Sequence, residues 1–184
     1  MKIVYYKSLL TQAKHLKPNE RIIYSFLVSK SICQIDSIYD SDGISIMTEE
    51  LYSLLEDCNY IDLFQISVRK LALLLHLSPT TVLSSLNRLK ELHYIQYNTI
   101  FVNKELIEKG YIELCKYDIL NGEILIFYSY IRYKATLFGG CIDTFKAKLA
   151  EELDTTKIAI TKMLNRLYEL SLAQRLNNGK LMVR

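Results

Sequence analysis

The fold of this chain is constrained most by an internal repeat. When the sequence is shifted by 78 residues, residues 86–89 (LNRL) fall on residues 164–167 (LNRL), within a match that runs without a gap for 30 residues. A shift of 104 residues places residues 22–27 (IIYSFL) on residues 126–131 (IFYSYI). Because both matches occur in the same order along the chain, they indicate a duplicated structural unit and argue against chance similarity between leucine-rich helices.

The first copy carries an acidic insertion that the second copy lacks. The two shifts differ by 26 residues, so an insertion of about that size lies between Lys30 and Val68. From Ser31 to Ile66 the chain has eight Asp and Glu and no Lys or Arg. Phosphate groups would repel such a segment. We therefore expect the insertion, at about residues 32–66, to face away from any nucleic acid and to be available to a protein partner.

The first copy contains three helical patterns. Apolar residues at helical spacing predict a helix over residues 20–31, with Asn19 as its N-cap, and a second helix over residues 68–75, with Ser67 as its N-cap. A short turn leads to Ser78, a good N-cap, and to Pro79, which suits the first position of a helix. The third helix is predicted to end near residue 92.

A change of period after the third helix predicts a small hairpin. Residues 94–97 and 100–102 are β-prone and are separated by Asn98 and Thr99. In the second copy, Asn-Asn-Gly at residues 177–179 lies between two apolar runs, and Asn-Gly is a strong signal for a hairpin turn.

The second copy repeats the whole order. Its helices are predicted over residues 122–134, 144–153 and 157–170, and its hairpin strands over residues 172–176 and 180–183. Asp143 or Thr144 is expected to cap the middle helix. Between the copies, residues 104–110 predict a short helix, followed by an irregular connector that bridges the two copies.

Helix, helix, short turn, helix and hairpin is the order of a winged helix-turn-helix unit. The segments LALLLHLSPTTVLSSLNRLKELHYIQ and LAEELDTTKIAITKMLNRLYELSLAQ resemble the core motif of that superfamily, which includes MarR-like and GntR-like regulators. The second segment lacks the proline. LKPNERIIYSFLVSKS resembles the opening helix of N-terminal domains in replication initiators and replisome organisers of plasmids and phages, and tandem winged helices resemble plasmid replication initiators.

We therefore expect a mainly α fold with small β wings, built as two winged helix-turn-helix domains in tandem. Residues 1–103 would form the first domain with its acidic insertion, and residues 104–184 the second domain with an N-terminal connector helix. The resemblance implies sequence-specific or structural binding of double-stranded DNA, in replication initiation or in transcription regulation. A protein-interaction module built on winged helices is the alternative function.

In this fold the third helix of a unit enters the major groove with its N-terminal half near the bases. Candidate DNA contacts are the residues of that helix that are expected to point outward, together with two residues of the second wing. In the first copy they are Thr80, Thr81, Ser84, Ser85 and Arg88. In the second copy they are Lys157, Thr161, Lys162, Asn165, Arg166, Arg175 and Lys180.

The charge distribution favours the second copy as the DNA-binding one. The net charge is only +3; residues 1–103 hold ten cationic and ten acidic side chains, and residues 104–184 hold thirteen and ten. The repeated Asn-Arg pair at residues 87–88 and 165–166 also allows a structural role, in which the arginine pairs with a nearby acid or bonds to carbonyls at the helix end.

Other classes of function find little support. The sequence has no Gly-rich phosphate loop, nucleophile elbow or HExxH motif, and its three histidines lie far apart, so we expect no enzyme activity and no catalytic residue. The four cysteines have no zinc spacing, and we expect neither a metal nor another cofactor. No stretch is apolar enough to span a bilayer and no signal peptide is evident, which predicts a cytoplasmic protein. Whether the chain forms a homodimer is left open.

Overall fold

The computed structural model describes residues 3–35, 59–115, 120, 122–143 and 146–184. The first half contains β1 (Ile3–Tyr6), a turn of 3-10 helix (Lys7–Leu10), α1 (Pro18–Ile35), β2 (Tyr60–Asp62), α2 (Val68–Leu75), α3 (Pro79–Glu91), β3 (Ile95–Gln96) and β4 (Thr99–Phe101). After α4 (Lys104–Glu108), the second half contains β5 (Tyr111–Leu114), α5 (Gly122–Leu137), β6 (Cys141–Asp143), α6 (Lys146–Glu152), α7 (Lys157–Glu169), β7 (Ala173–Arg175) and β8 (Lys180–Val183). The predicted combination of mainly helices with small antiparallel sheets is confirmed.

Side-chain caps define the starts of α2, α3 and α7. Ser67 accepts a hydrogen bond from the backbone N–H of Lys70, and Ser78 accepts one from Thr81, as the sequence predicts. Thr156 caps α7 in the same way as Ser78 caps α3. Such a cap satisfies one of the N–H groups that the first turn of a helix leaves without a partner.

The cap predicted at Asn19 is wrong. Helix α1 already begins at Pro18, so Asn19 lies inside its first turn. The Glu20 carboxylate instead reaches back and accepts a hydrogen bond of 2.8 Å from the backbone N–H of Lys17. For α6, Asp143 ends β6, and Thr144 lies outside the described residues. Most of the acidic insertion, residues 36–58, also lies outside them.

The repeat found in the sequence is also present in the backbone. Each half has a three-stranded antiparallel sheet with the same strand order, β2-β4-β3 and β6-β8-β7. His76 and Asp154, which are equivalent residues, both adopt a left-handed conformation after the preceding helix. After the third helix, Tyr94 donates to the Leu89 carbonyl in one half and Leu172 donates to the Leu167 carbonyl in the other. The duplication therefore extends to turns that share no sequence signature.

The repeat also includes four strands that the sequence patterns do not predict: β1 and β5, and β2 and β6. Strand β2 lies within the stretch expected to be the insertion, but it occupies the same place in its sheet as β6 and so belongs to the repeat. Strand β1 precedes α1, and β5 precedes α5; residues 111–114 are thus a strand and not part of an irregular connector. Ser25 on α1 accepts a hydrogen bond of 2.9 Å from the Tyr6 N–H at the end of β1. Ser129 on α5 accepts one of 3.0 Å from the Cys115 N–H just after β5. The two serines are equivalent in the repeat and fasten each strand to its own helix.

A local twofold axis relates the two halves. Strands β1 and β5 pair in antiparallel register, with Val4 opposite Glu113. If Tyr6 and Cys115 are equivalent, as their serine contacts indicate, then Val4 and Glu113 are equivalent as well. Pro18 and Gly122 are the first residues of α1 and α5 and are equivalent in the repeat. They lie close together, because a Cβ atom added to Gly122 would be 3.6 Å from the Cβ atom of Pro18. Equivalent residues therefore meet at two places, which is how an interface behaves about a twofold axis.

The apolar interior consists of two clusters. The first lies beneath α1, α2 and α3 and also takes in Ile112 and Leu114 of β5. The second lies between α5, α6, α7 and the sheet of the second half. Leu125, Tyr130 and Leu153 are partly buried against both clusters. The two halves are therefore packed against each other.

A charged network holds α6 on α5 in the second half. The Glu152 carboxylate lies 2.6 Å from the Lys134 ammonium and accepts a hydrogen bond of 3.0 Å from the Tyr130 hydroxyl. Burial and the hydrogen bond to Glu152 both raise the pKa of Tyr130, so its hydroxyl remains a donor at neutral pH. Both charged side chains are at most a quarter exposed.

We predict that Glu152→Gln lowers the free energy of unfolding by about 1–2 kcal/mol, because it leaves the half-buried Lys134 ammonium without a counter-charge. Urea unfolding measures the effect. Glu151→Gln, at the exposed neighbouring position, is the matched control and should change the stability by less than about 0.5 kcal/mol. Equal losses in the two variants would contradict a stabilising role for the network.

Candidate functional site

The outer face of α7 carries the strongest concentration of candidate DNA-binding residues. Lys157, Lys162, Asn165 and Arg166 are all exposed. Thr161 lies among them but is half-buried, and its hydroxyl donates a hydrogen bond of 2.8 Å to the Lys157 carbonyl. In the described part of the chain, neither Lys157 nor Lys162 has an acidic partner, so both ammonium groups are available to an anionic ligand.

The two arginines of the repeated Asn-Arg pairs are already ion-paired. Arg166 Nη1 lies 2.9 Å from Glu169 Oε2, and Arg88 Nη1 lies 2.9 Å from Glu91 Oε2. Both pairs span one turn at the end of the third helix, and all four side chains are exposed. The structural alternative for these arginines, pairing with a nearby acid, is therefore present in both halves. An exposed pair of this kind is weak and would open for a phosphate at little cost.

The equivalent face of α3 is polar but carries less free charge. Thr80, Ser84 and Arg88 are exposed, whereas Thr81 is half-buried and bonds through its hydroxyl to Ser78. Ser84 donates to the Thr81 carbonyl of its own helix. Ser85 is only 5% exposed. The expectation that Ser85 points outward is wrong, because the first apolar cluster takes up this side of α3.

A groove of about 470 Å³ runs beside α3. One wall is formed by Thr81, Ser84 and Arg88, and the other by the start of α1 with Lys17 and Asn19. Gly122, which lies close to the local twofold axis, also lines the groove. The groove therefore brings four of the predicted residues, Ser85 among them, together with the start of α1. Two acidic residues, Glu20 and Glu91, line it as well. The placement of all these residues depends on the packing of α1 against α3, for which the local sequence has no signal.

The hairpin of β7 and β8 carries two further cations. Arg175 ends β7 and Lys180 begins β8, and both are exposed. Lys180 lies opposite Asp143 in the sheet, and it lines a pocket of about 380 Å³ together with Lys148 of α6. The pocket therefore joins this hairpin to the start of α6. Lys148 is thus a neighbour of the predicted site, although the sequence indicated it only as part of the overall positive charge.

We call the exposed cations Lys148, Lys157, Lys162 and Lys180 the basic surface of the second half. The equivalent positions of the first half carry only one of these cations. Lys70 is equivalent to Lys148 and is exposed, whereas Lys157 and Lys162 correspond to Pro79 and Ser84 by the 78-residue shift. Lys180 corresponds to Thr99, because these residues lie opposite Asp143 and Asp62 in the two sheets. The duplicated fold is therefore preserved while the surface chemistry has diverged.

Both halves expose large apolar side chains. In the second half these are Leu137, Phe138 and Ile158, the last of which follows Lys157 on α7. Leu83, on the outer face of α3, is 51% exposed, although the sequence pattern places it beside the buried residues. Leu73 on α2 is 76% exposed, and Tyr97 at the tip of the first hairpin is 98% exposed. The second half has Glu151, Thr161 and Arg175 at the three equivalent positions. Exposed apolar side chains at corresponding places suit a protein partner better than a phosphate backbone.

Within the described residues, no group of His, Cys, Asp and Glu is arranged to hold a metal ion, and no helix is long and apolar enough to cross a membrane. The three described cysteines, Cys33, Cys115 and Cys141, form no disulfide bond with one another. Comparisons with protein-family models, with curated proteins and with solved structures found no match for this chain.

Proposed function

We propose that each half of the chain is a winged helix-turn-helix unit and that the protein binds double-stranded DNA through the basic surface of the second half. The observation that carries the proposal is that Lys157 and Lys162, on the outer face of α7, have no acidic partner among the described residues. Lys180 of the hairpin that follows adds a third exposed cation. Ammonium groups on the N-terminal half of such a helix would contact phosphates, while Asn165 would be available to base edges.

The local twofold axis supports binding by a single chain. Gly122, near the axis, lines the groove beside α3. Lys14, in the segment that leads into α1, forms an ion pair with Asp154 in the turn between α6 and α7. Helix α3 and the turn before α7 therefore both lie near the residues that lead into and begin α1. A single chain would then contact one duplex with two different units, in the way that a symmetric dimer contacts a duplex with two identical units.

The proposal is tested by measuring the dissociation constant for a labelled random-sequence duplex at several salt concentrations. We expect sub-micromolar affinity at low salt and a log–log slope of about −3 to −4, because up to four cations of the basic surface would each neutralise one phosphate. One chain should bind per short duplex. The absence of binding at low salt would refute the proposal.

A second candidate function is protein binding by the first half. It is favoured by the exposed Leu73 and Leu83 on its helix-turn-helix segment and by its neutral charge. The same salt titration separates the two, since protein binding through apolar contacts gives no steep dependence on salt. The acidic insertion could extend such an interface, but residues 36–58 lie outside the described residues.

A further inference from the structure

A small pocket at the far end of α7 has the chemistry of an anion site. It measures about 270 Å³ and is lined by Tyr168, Ser171, Ala173, Gln174, Arg175 and Arg184. These residues supply two arginines, two hydroxyl-bearing side chains and a glutamine, and none of the six side chains is acidic. In the described part of the chain, neither arginine forms an ion pair, unlike Arg88 and Arg166.

The backbone around the pocket is held in place by the sheet. Arg175 is paired with Leu181 across β7 and β8. Arg184 donates its N–H to the Leu172 carbonyl at 3.0 Å, and its own carbonyl accepts a hydrogen bond from the Tyr128 hydroxyl. The backbone of both arginines is therefore held in place beside the same pocket. A pre-organised pair of this kind loses less entropy on binding than two side chains on a loop.

The two hydroxyl groups are hydrogen-bond donors in addition to those of the two arginines. Burial raises the pKa of Tyr168 more than the neighbouring Arg175 lowers it, so the phenol stays protonated at neutral pH. Ser171 follows α7 in a left-handed conformation, and its hydroxyl also lines the pocket. Guanidinium forks and hydroxyl donors without a competing carboxylate are the groups that recognise phosphate.

The chemistry is specific to the second half. The first half has Lys90, His93 and Tyr97 at the positions equivalent to Tyr168, Ser171 and Arg175. The shared fold therefore does not require these residues. We propose that this pocket binds a phosphate group, carried either by the DNA backbone or by a small phosphorylated molecule. It lies at the C-terminal end of α7, away from the N-terminal half that the proposed function places on DNA, and it does not depend on that function.

The test compares wild-type protein with Arg175→Ala/Arg184→Ala and with Tyr168→Phe. Exposed arginine side chains can be removed with little effect on folding, and thermal unfolding without ligand checks this. Arg69→Ala/Lys109→Ala, which removes two exposed cations outside the pocket, is the matched control. Each protein is titrated by calorimetry at constant ionic strength with two kinds of ligand. The small anions are inorganic phosphate and 2′-deoxyadenosine 5′-monophosphate, used separately, and the other ligand is a short DNA duplex.

If the pocket takes a free phosphorylated molecule, the small anions bind saturably to the wild type, and the double variant binds them at least about tenfold more weakly. If it takes a backbone phosphate, only the duplex binds, and the double variant lowers the magnitude of its salt slope by about 1–2 relative to the control. Tyr168→Phe should weaken whichever ligand binds. Small-anion binding without duplex binding would refute the DNA proposal and support the pocket. Unchanged binding of both ligands in the double variant would overturn the pocket, whatever happens to the DNA proposal.

Discussion

Replacing Lys157 and Lys162 together by glutamate is expected to weaken duplex binding about 100-fold at moderate salt, because each lost phosphate contact accounts for about one factor of ten. The magnitude of the salt slope should fall by about 2. Both side chains are exposed and lack an acidic partner among the described residues. Glutamate is well tolerated in the first turns of a helix, so the fold should remain intact and the melting temperature should change little.

The matched control is Lys90→Glu/Lys109→Glu, which changes the net charge of the protein by the same amount. Lys90 lies at the C-terminal end of α3 and Lys109 follows α4, and both are exposed. The control should weaken binding less than about threefold, through the long-range field alone. Equal losses in the two double variants would mean that the affinity follows net charge and that α7 is not the binding element.

Ser25→Ala is expected to lower the free energy of unfolding by about 2–4 kcal/mol. The Ser25 hydroxyl is fully buried; it accepts a hydrogen bond of 2.9 Å from the Tyr6 N–H and donates one of 3.1 Å to the Val4 carbonyl. The substitution therefore leaves two backbone groups of β1 without a partner in an apolar interior. Each buried unsatisfied group costs about 1–3 kcal/mol.

Ser29→Ala on the same helix is the control. Ser29 is also buried, but its hydroxyl bonds only to the Phe26 carbonyl of its own helix, so its loss should cost less than about 1 kcal/mol. Denaturant unfolding of both variants gives the comparison. Similar losses for Ser25→Ala and Ser29→Ala would show that the fastening of β1 to α1 contributes little to stability.

Much of the local structure could be predicted from the sequence. The bounds of α2 and α3, their caps at Ser67 and Ser78, and the Asn-Asn-Gly hairpin depend on residues only a few positions apart, where apolar spacing and turn chemistry act directly. The duplication was equally visible, because residues 86–89 and 164–167 are identical. The candidate face of α7 follows from the same periodicity, since its inward residues Ile160, Leu164 and Leu167 are all buried.

The tertiary structure alone decided which of these residues are available and how the halves are joined. In the structure Ser85 is buried, and Arg88 and Arg166 are each paired with an acidic residue of the same helix. Strands β1 and β5 are too short to be recognised by pattern, and they exist because each supplies the other's backbone hydrogen bonds across more than 100 residues. The sequence by itself therefore determined two copies of one unit. Their arrangement about a twofold axis, and the pockets at α3 and at the end of α7, come from long-range packing that local periodicity does not encode.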